Sequence, residues 1–388
     1  MAGHITKRKR GGKIRWRARY PDPTRGGKKE IERIFGTRRE AERFLREQQV
    51  AVQRGTHINP ADTQRQFSYL ADAWRATWID LEPKTAAGYE SILNRHVLPR
   101  WADAKVGAIS AEVVQKWIND LAASGRNPKT VSNVYGVLRA VLNVAVERNY
   151  IPANPCAVVR LPRRAGHQRV QLFLTAQEVE ALAEAITPRY RLLVYAAAYT
   201  GLRAGELHAL RRRDVDLLHR KLRVSRALKD INTSSPNIPD ESKGLIFGPT
   251  KTGASRSVGL PRFLADMLAD HIDPLGPDDL VFTSREGEPI RQTNFMRRHF
   301  KPAVRAALPA EKHRLRFHDL RHTCAALLIA ADAHPKAIQE HLGHRDIQTT
   351  FNVYGHLLPS AQEALAAALD TAYEGSAEGE DIPRIGKG

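Results

Sequence analysis

A chain of 388 residues, 42% of them hydrophobic, is too long for one ordinary core and predicts two or three domains. Its formal charge of +19 favours a polyanionic partner such as DNA, RNA or an anionic membrane surface. No apolar run reaches membrane-spanning length and MAGHITKRKRGG has no signal-peptide centre, so a membrane-spanning or secreted protein is not expected and a cytoplasmic one is.

The first 50 residues hold 16 Lys and Arg against 6 Asp and Glu, about half of the whole excess. There Ile14, Trp16, Ala18 and Tyr20 alternate with Arg15, Arg17 and Arg19, the pattern of a strand with its aromatic side inward and its basic side outward. PDPTRGGKK reads as a turn, and a second strand runs through Ile31 to Phe35. Thr37 and Glu40 then form a capping box ahead of Ala41, Phe44 and Leu45. Gln53 to Gln66, polar with Gly and Pro, reads as a linker.

Four amphipathic helices follow. Ser68 caps a run with Leu70, Trp74 and Trp78, and Thr85 opens a second through Tyr89, Ile92, Leu93 and Val97 that Pro99 closes. Ala111 to Leu121 and Thr130 to Val146 supply the third and fourth, each with one apolar stripe. Together they predict a compact bundle, on which Lys84, Lys129, Asn133 and Arg139 are candidate DNA contacts. Asn154 to Gln171, rich in Pro and Arg, reads as an interdomain linker. Cys156 and Cys324 stand far apart in apolar neighbourhoods, as reduced packing residues do.

Helical periodicity resumes at Leu174, with a Thr175 and Glu178 capping box, and an apolar helix from Tyr190 to Tyr199 ends at Thr200 and Gly201. Arg203 opens the next helix, where unpaired N–H groups favour a phosphate and a guanidinium adds a planar, permanently charged fork. Glu206 is expected to orient an arginine. Lys221 to Ala227 and Ser255 to Leu260 alternate as strands; Lys229 to Gly248 is a long insertion, and PTKTGASR puts Lys251 beside a Gly253 turn.

In RFHDLRHTCAALLIAADAHPKAIQEHLGHRDIQTTFNVYGH, Cys324 to Ala331 reads as a buried helix and Pro335 starts another that Gly343 stops, leaving His344 on the turn. Asp346 caps a further helix carrying Phe351, Val353 and Tyr354. His318 and Arg321, three apart, share a helical face. Packed on one core, two histidines, an arginine and a tyrosine suit attack on a phosphodiester: a cation clamps the phosphate and a hydroxyl attacks it. Ala361 to Ala372 predicts a last helix before an acidic tail.

TGLRAGEL, HDLRH, LGH and the tyrosine ten residues after His344, in that order, resemble the signature of the tyrosine recombinases, the phage-integrase family. The resemblance implies a mainly α fold with small β-sheets (α+β) in three domains. It divides the chain into an arm-site DNA-binding domain at 1–55 (three-stranded sheet plus helix), a linker at 56–66 and a helical, SAM-like core-binding domain at 67–154. A second linker at 155–171, a catalytic domain at 172–373 and a tail at 374–388 complete it. It also implies roles: Arg203 and Arg321 clamp the phosphate, Lys251 protonates the departing 5′ oxygen with Lys243 as the alternative, and burial beside other cations lowers that lysine's pKa. His318 carries a proton or donates near the nucleophile, His344 donates to the phosphate, and Tyr354, its phenolate favoured by these cations, attacks to give a 3′-phosphotyrosyl bond. No metal, ATP or other cofactor is implied. The implied partners are double-stranded attachment-site DNA, sister protomers in a homo-tetramer, and an excisionase or DNA-bending protein.

Three rival readings attach to the same residues. His318 with His322, and His341 with His344, have usable metal-ligand spacings, although Asp319 replaces the Glu of HExxH and Arg321 puts a fixed positive charge between the ligands. A catalytically inactive DNA-binding protein and a type IB topoisomerase would carry much of the same pattern.

Overall fold

The computed structural model describes residues 3–10, 13–23, 29–162, 172–231, 235–251, 253–343, 346–354, 369–370 and 373. The expected final helix lies largely outside the described residues, and the acidic tail, most of the PDPTRGGKK turn and the end of the second linker lie wholly outside them. The chain forms two compact units: residues 1–168 with 232–243, and residues 169–231 with 244–388.

The first unit opens with an antiparallel sheet of β1 (His4–Arg10), β2 (Lys13–Pro21) and β3 (Glu30–Phe35), in that order. Helix Arg38–Gln53 covers one face, started by the expected capping box in which Thr37 accepts from the Glu40 N–H and Glu40 from the Thr37 N–H. Ala18, Tyr20, Ala41 and Phe44 are its buried core. The predicted division of β2 into an apolar inner and a basic outer side is only partly met. Ile14 is exposed, while Arg17 is buried, its guanidinium 3.2 Å from Glu32 on the neighbouring strand.

Residues 53–66 are built structure rather than a free tether. Helix Pro60–Thr63 lies within them, His57 Nε2 is 2.9 Å from the Tyr20 hydroxyl, and Asn59 Nδ2 donates to Asp22 at 2.7 Å. All four of these side chains are buried.

The helical bundle contains Phe67–Arg75, Pro83–Ile92, Ala111–Ala123 and Pro128–Glu147 around Leu70, Trp74, Leu93, Trp101, Trp117, Leu138 and Leu142. Two helices begin earlier than expected, with proline in the first turn, where its missing N–H leaves no bond unmade. Pro99 does not close the second helix. The chain widens into a π-turn, Leu93–Val97, and runs on into Leu98–Trp101, where Pro99 again occupies a first-turn position.

In the second unit the expected strand from Lys221 to Ala227 divides. β4 (Val215–Asp216), β5 (Lys221–Val224) and β8 (Arg256–Gly259) form one antiparallel sheet, and β6 (Arg226–Ile231) pairs with β7 (Gly244–Pro249) in another. Much of the insertion is therefore a β-hairpin. The described part of its tip belongs to the first unit: Ser235 and Asn237 donate to the buried Glu90 carboxylate at 3.1 and 2.8 Å, and Ile238 is buried.

Helices Ala176–Ala185, Arg191–Thr200, Arg262–Ile272 and Lys301–Ala307 enclose the main core of the second unit, and Asp319–Ala330 packs along Arg191–Thr200. Pro335–Leu342 and Ile347–Tyr354 complete a smaller apolar cluster of Cys324, Ala325, Ile329, Ile338, Leu342 and Tyr354. Both cysteines are free and buried. Among the described residues no helix is long and apolar enough to cross a membrane.

Candidate active site

Polar groups from four stretches of the second unit meet where helix Arg191–Thr200 stops. Gly201 takes a φ of +61°. A Cβ there would come within 2.6 Å of Leu342 Cδ2 and 3.2 Å of Cys324 Sγ, so a residue without one lets the last helices close on this turn. Arg321 enters beneath it, donating from Nη1 to the Gly201 carbonyl and from Nη2 to the Leu342 carbonyl, each at 2.6 Å. Burial, and then the charge of Arg203, pull its pKa down to about 10, which leaves it charged at neutral pH.

Arg203 is the N-cap of the short helix Ala204–Leu207. Its backbone N–H donates to Glu206 Oε2 at 2.9 Å, its Nη1 to Glu206 Oε1 at 3.0 Å, and its Nη2 lies 3.5 Å from the Gly343 carbonyl. Glu206 also accepts both terminal nitrogens of Arg256, at 3.0 and 2.8 Å. Burial alone would raise the pKa of Glu206, but the hydrogen bonds and charge of Arg256, and then Arg203, outweigh it and hold the carboxylate ionised below its ordinary range. Three guanidiniums around one buried carboxylate leave an excess of fixed positive charge. Arg203, with a quarter of its side chain exposed, is the most open of the three, since Arg256 and Arg321 are more deeply covered.

Tyr354 ends helix Ile347–Tyr354 and is 1% exposed. Its hydroxyl lies 2.8 Å from Nδ1 of His322, one turn into helix Asp319–Ala330. Burial pushes the phenol up to about 12, with Arg321 acting the other way. The expected cationic influence on Tyr354 is thus present in sign but outweighed by desolvation, so the phenol is protonated here.

His318, the N-cap of that helix, sits edge to face against His322 with ring centroids 5.1 Å apart. The residue is exposed, yet its imidazole is still desolvated in part. That desolvation, and then the charges of His322, Arg321 and Arg316, push its pKa down to about 4, so it is neutral at pH 7.

Lys251 is exposed on the turn between β7 and β8, without the burial beside other cations that its expected role calls for. Lys243 lies in the first unit, donating to Asp240 at 2.7 Å. His344 lies outside the described residues, next to Gly343, whose φ of +66° ends helix Pro335–Leu342. Of the candidate metal pairs, His322 faces Tyr354 and His341 Nε2 is 3.8 Å from Cys324 Sγ. Among the described residues no three potential metal ligands gather.

The candidate DNA contacts divide. Arg15, Lys84, Lys129, Asn133 and Arg139 are exposed. Arg17 and Arg19 were expected on a free basic face, but both pair with Glu32 across the sheet, at 3.2 and 3.0 Å, because Glu32 of β3 lies directly opposite Arg19 and diagonally from Arg17. Arg19 also lies 3.7 Å from Glu30.

The sequence model of the phage integrase N-terminal SAM-like domain matches residues 66–122, and that of the phage integrase family matches residues 172–360, spanning every candidate catalytic residue. The chain belongs to the phage integrase family. It is 28% identical over 378 residues to the integrase of Mycobacterium phage L5, covering 94% of this chain and 96% of that protein. It is 26% identical over 360 residues to a XerC-like tyrosine recombinase of Caldanaerobacter subterraneus subsp. tengcongensis, covering 87% of this chain and 90% of that protein. Among solved structures, the Tn1549 transposon integrase in complex with transposon right end DNA has the same fold. Its TM-score is 0.65 at 21% identity, over 79% of this chain and all of that one. This phage-integrase family member is a site-specific tyrosine recombinase, and the expected mainly α, multidomain architecture with small sheets is the one observed.

Two residues of the recombinase's site were not singled out from sequence as part of it. Arg256 looked like the polar side of an ordinary alternating strand, and only its approach to Glu206 distinguishes it. In the sequence His322 reads only as a metal-ligand partner for His318. The available signal was its spacing of one turn from His318 on the helix that also carries Arg321.

Proposed function

We propose that this recombinase cuts and rejoins DNA at attachment sites through Tyr354, integrating a phage or mobile element, with Arg203 and Arg321 holding the scissile phosphate. The phenol oxygen attacks phosphorus and the 5′ oxygen departs, leaving a 3′-phosphotyrosyl bond that conserves the energy of the broken linkage. His344 donates to the phosphate, His318 donates or carries a proton beside it, and Lys251 swings in from its exposed turn to protonate the departing oxygen. None of these steps calls on a metal or ATP.

The observation that carries this reading is the meeting of Arg203 and Arg321, 118 positions apart in sequence, at the carbonyls of two helix ends, Gly201 and Leu342–Gly343. The Tyr354 hydroxyl lies 2.8 Å from His322, the residue next to Arg321.

In the same reading residues 1–55 bind arm-type sites, 67–154 and 172–373 bind core sites, and 56–66 and 155–171 join them. Arg15, Lys84, Lys129, Asn133 and Arg139 contact the duplex. The protein works as a homo-tetramer in the host cytoplasm, with an excisionase or DNA-bending protein setting direction.

Incubation with nicked duplexes spanning the junction of element and host chromosome, followed by denaturing electrophoresis, tests the chemistry. A covalent adduct is expected that forms in the presence of chelator and is abolished by Tyr354→Phe, with binding retained. An adduct undiminished in Tyr354→Phe overturns the assignment, and an enzyme that loses all activity to chelator points to metal chemistry instead.

A further inference from the structure

We propose that His322 is the proton acceptor for Tyr354, taking the phenolic hydrogen as the tyrosine attacks and returning it when the strand is rejoined. This rests on Tyr354 being the nucleophile, as set out above, and gives the proton-accepting role to His322, leaving His318 as a donor to the phosphate: arginines stabilise charge but do not accept a proton at working pH.

The geometry points to His322 in three ways. Its Nδ1 stands 2.8 Å from the phenol oxygen, within the distance a general base must reach. Phenol and imidazole also meet at ring centroids 5.7 Å apart, on two separate helices, so neither is a chance neighbour in sequence. The groups facing His322 suit a base that is neutral at rest and charged in passing. Burial, and then Arg316 and Arg321, lower its pKa, while Asp319 on the same helix acts in the opposite direction. His318 makes an edge-to-face ring contact, and the two imidazoles disfavour charge on one another. At neutral pH His322 is therefore free of the extra proton, and the Asp319 carboxylate is placed to stabilise the imidazolium that forms.

A phenol whose burial drives its pKa to about 12 has little phenolate to offer, so transfer of its proton during attack removes a barrier the arginines leave in place. In the forward step the phenol oxygen to phosphorus bond forms, the bond from phosphorus to the 5′ oxygen breaks, and the phenolic proton moves to His322 Nδ1. The departing 5′ oxygen is protonated separately by the acid assigned above. In the reverse step the 5′ hydroxyl attacks phosphorus and returns its proton to that same acid, the phenol oxygen leaves, and His322 gives its proton back to the phenol.

His322→Asn and His322→Ala separate this role from a structural one. Asn offers a side-chain oxygen to accept the phenol's hydrogen bond but does not take up the proton. Single-turnover adduct formation would be measured from pH 6 to 10 on the nicked duplex, with thermal melting to verify folding. General-base participation contributes about 10²- to 10⁴-fold, so folded His322→Asn is expected to be slower by that order at pH 7 and to recover as pH rises. Added imidazole is expected to restore His322→Ala in part. A folded His322→Asn within about threefold of the parent, or a slow variant with neither alkaline recovery nor imidazole rescue, overturns the proposal. Tyr354→Phe in the same series keeps the two readings apart: an adduct that persists there defeats the nucleophile assignment itself, whereas its loss beside an unimpaired His322→Asn defeats only the role of His322.

Discussion

Glu206 sets the positions of two of the three guanidiniums, and its loss should be felt both in folding and in chemistry. Removing one partner from a buried charge network costs about 3 to 5 kcal/mol, because the charges left behind stay desolvated. Glu206→Gln is expected to lose a sizeable part of that in urea melts and to form adduct more slowly, since Arg203 is no longer fixed from below. The pH dependence has a definite sign. The folded-state pKa of Glu206 lies below its unfolded value, so the stability it contributes is fully present above the ordinary carboxylate range and lost as pH falls through the folded value. The acid limb of the stability profile should therefore be shallower in Glu206→Gln than in the parent, and identical limbs in the two proteins would contradict this account. At this scale Arg203, Arg321 and Tyr354 were legible because each stands at a readable helix boundary or in a dense motif. The states of those groups were not, because burial depends on distant chain: nothing local to Tyr354 says that it will be buried in one cluster with Cys324 and Leu342.

Helix termini carry the site into register. Gly343 takes a left-handed φ, and a Cβ on it would stand 2.7 Å from Arg256 Nε and 2.8 Å from Arg256 Cδ. Gly343→Ala should cost about 1 to 3 kcal/mol from backbone strain and displace Arg256 from Glu206, lowering adduct yield more than a surface substitution of equal cost. A melting temperature and adduct yield unchanged from the parent would show that the turn tolerates a side chain. Capping boxes at Thr37 and Thr175 were readable because they are closed within four residues, and so was the glycine stop at Gly343. Pro99 was misread because proline suits a first turn as well as a helix end, and here a π-turn precedes it. The 53–66 segment looked unstructured for a different reason: His57 and Asn59 gain their structure from Tyr20 and Asp22, more than thirty residues away. Likewise, the polar insertion reads as a loop until Glu90 supplies the partner for Ser235 and Asn237.

The charge excess belongs to the molecule as a whole and to its encounter with a polyanion. Internal pairing takes Arg17 and Arg19 out of the reckoning, leaving Lys7, Arg8, Lys9, Lys13 and Arg15 exposed on β1 and β2. Replacing these five with alanine is expected to reduce the slope of log affinity against log salt by about 0.9 for each phosphate that is no longer neutralised, leaving adduct formation on pre-bound core DNA unchanged. An unaltered salt slope would move the arm-site function away from this sheet.

The central claim, that one tyrosine is the point of covalent exchange beside the paired arginines, is tested most directly by mapping the trapped adduct. After nuclease and protease digestion of the parent protein's complex with nicked junction DNA, mass spectrometry should find the residual nucleotide phosphate on Tyr354. A modification on any other residue would contradict it.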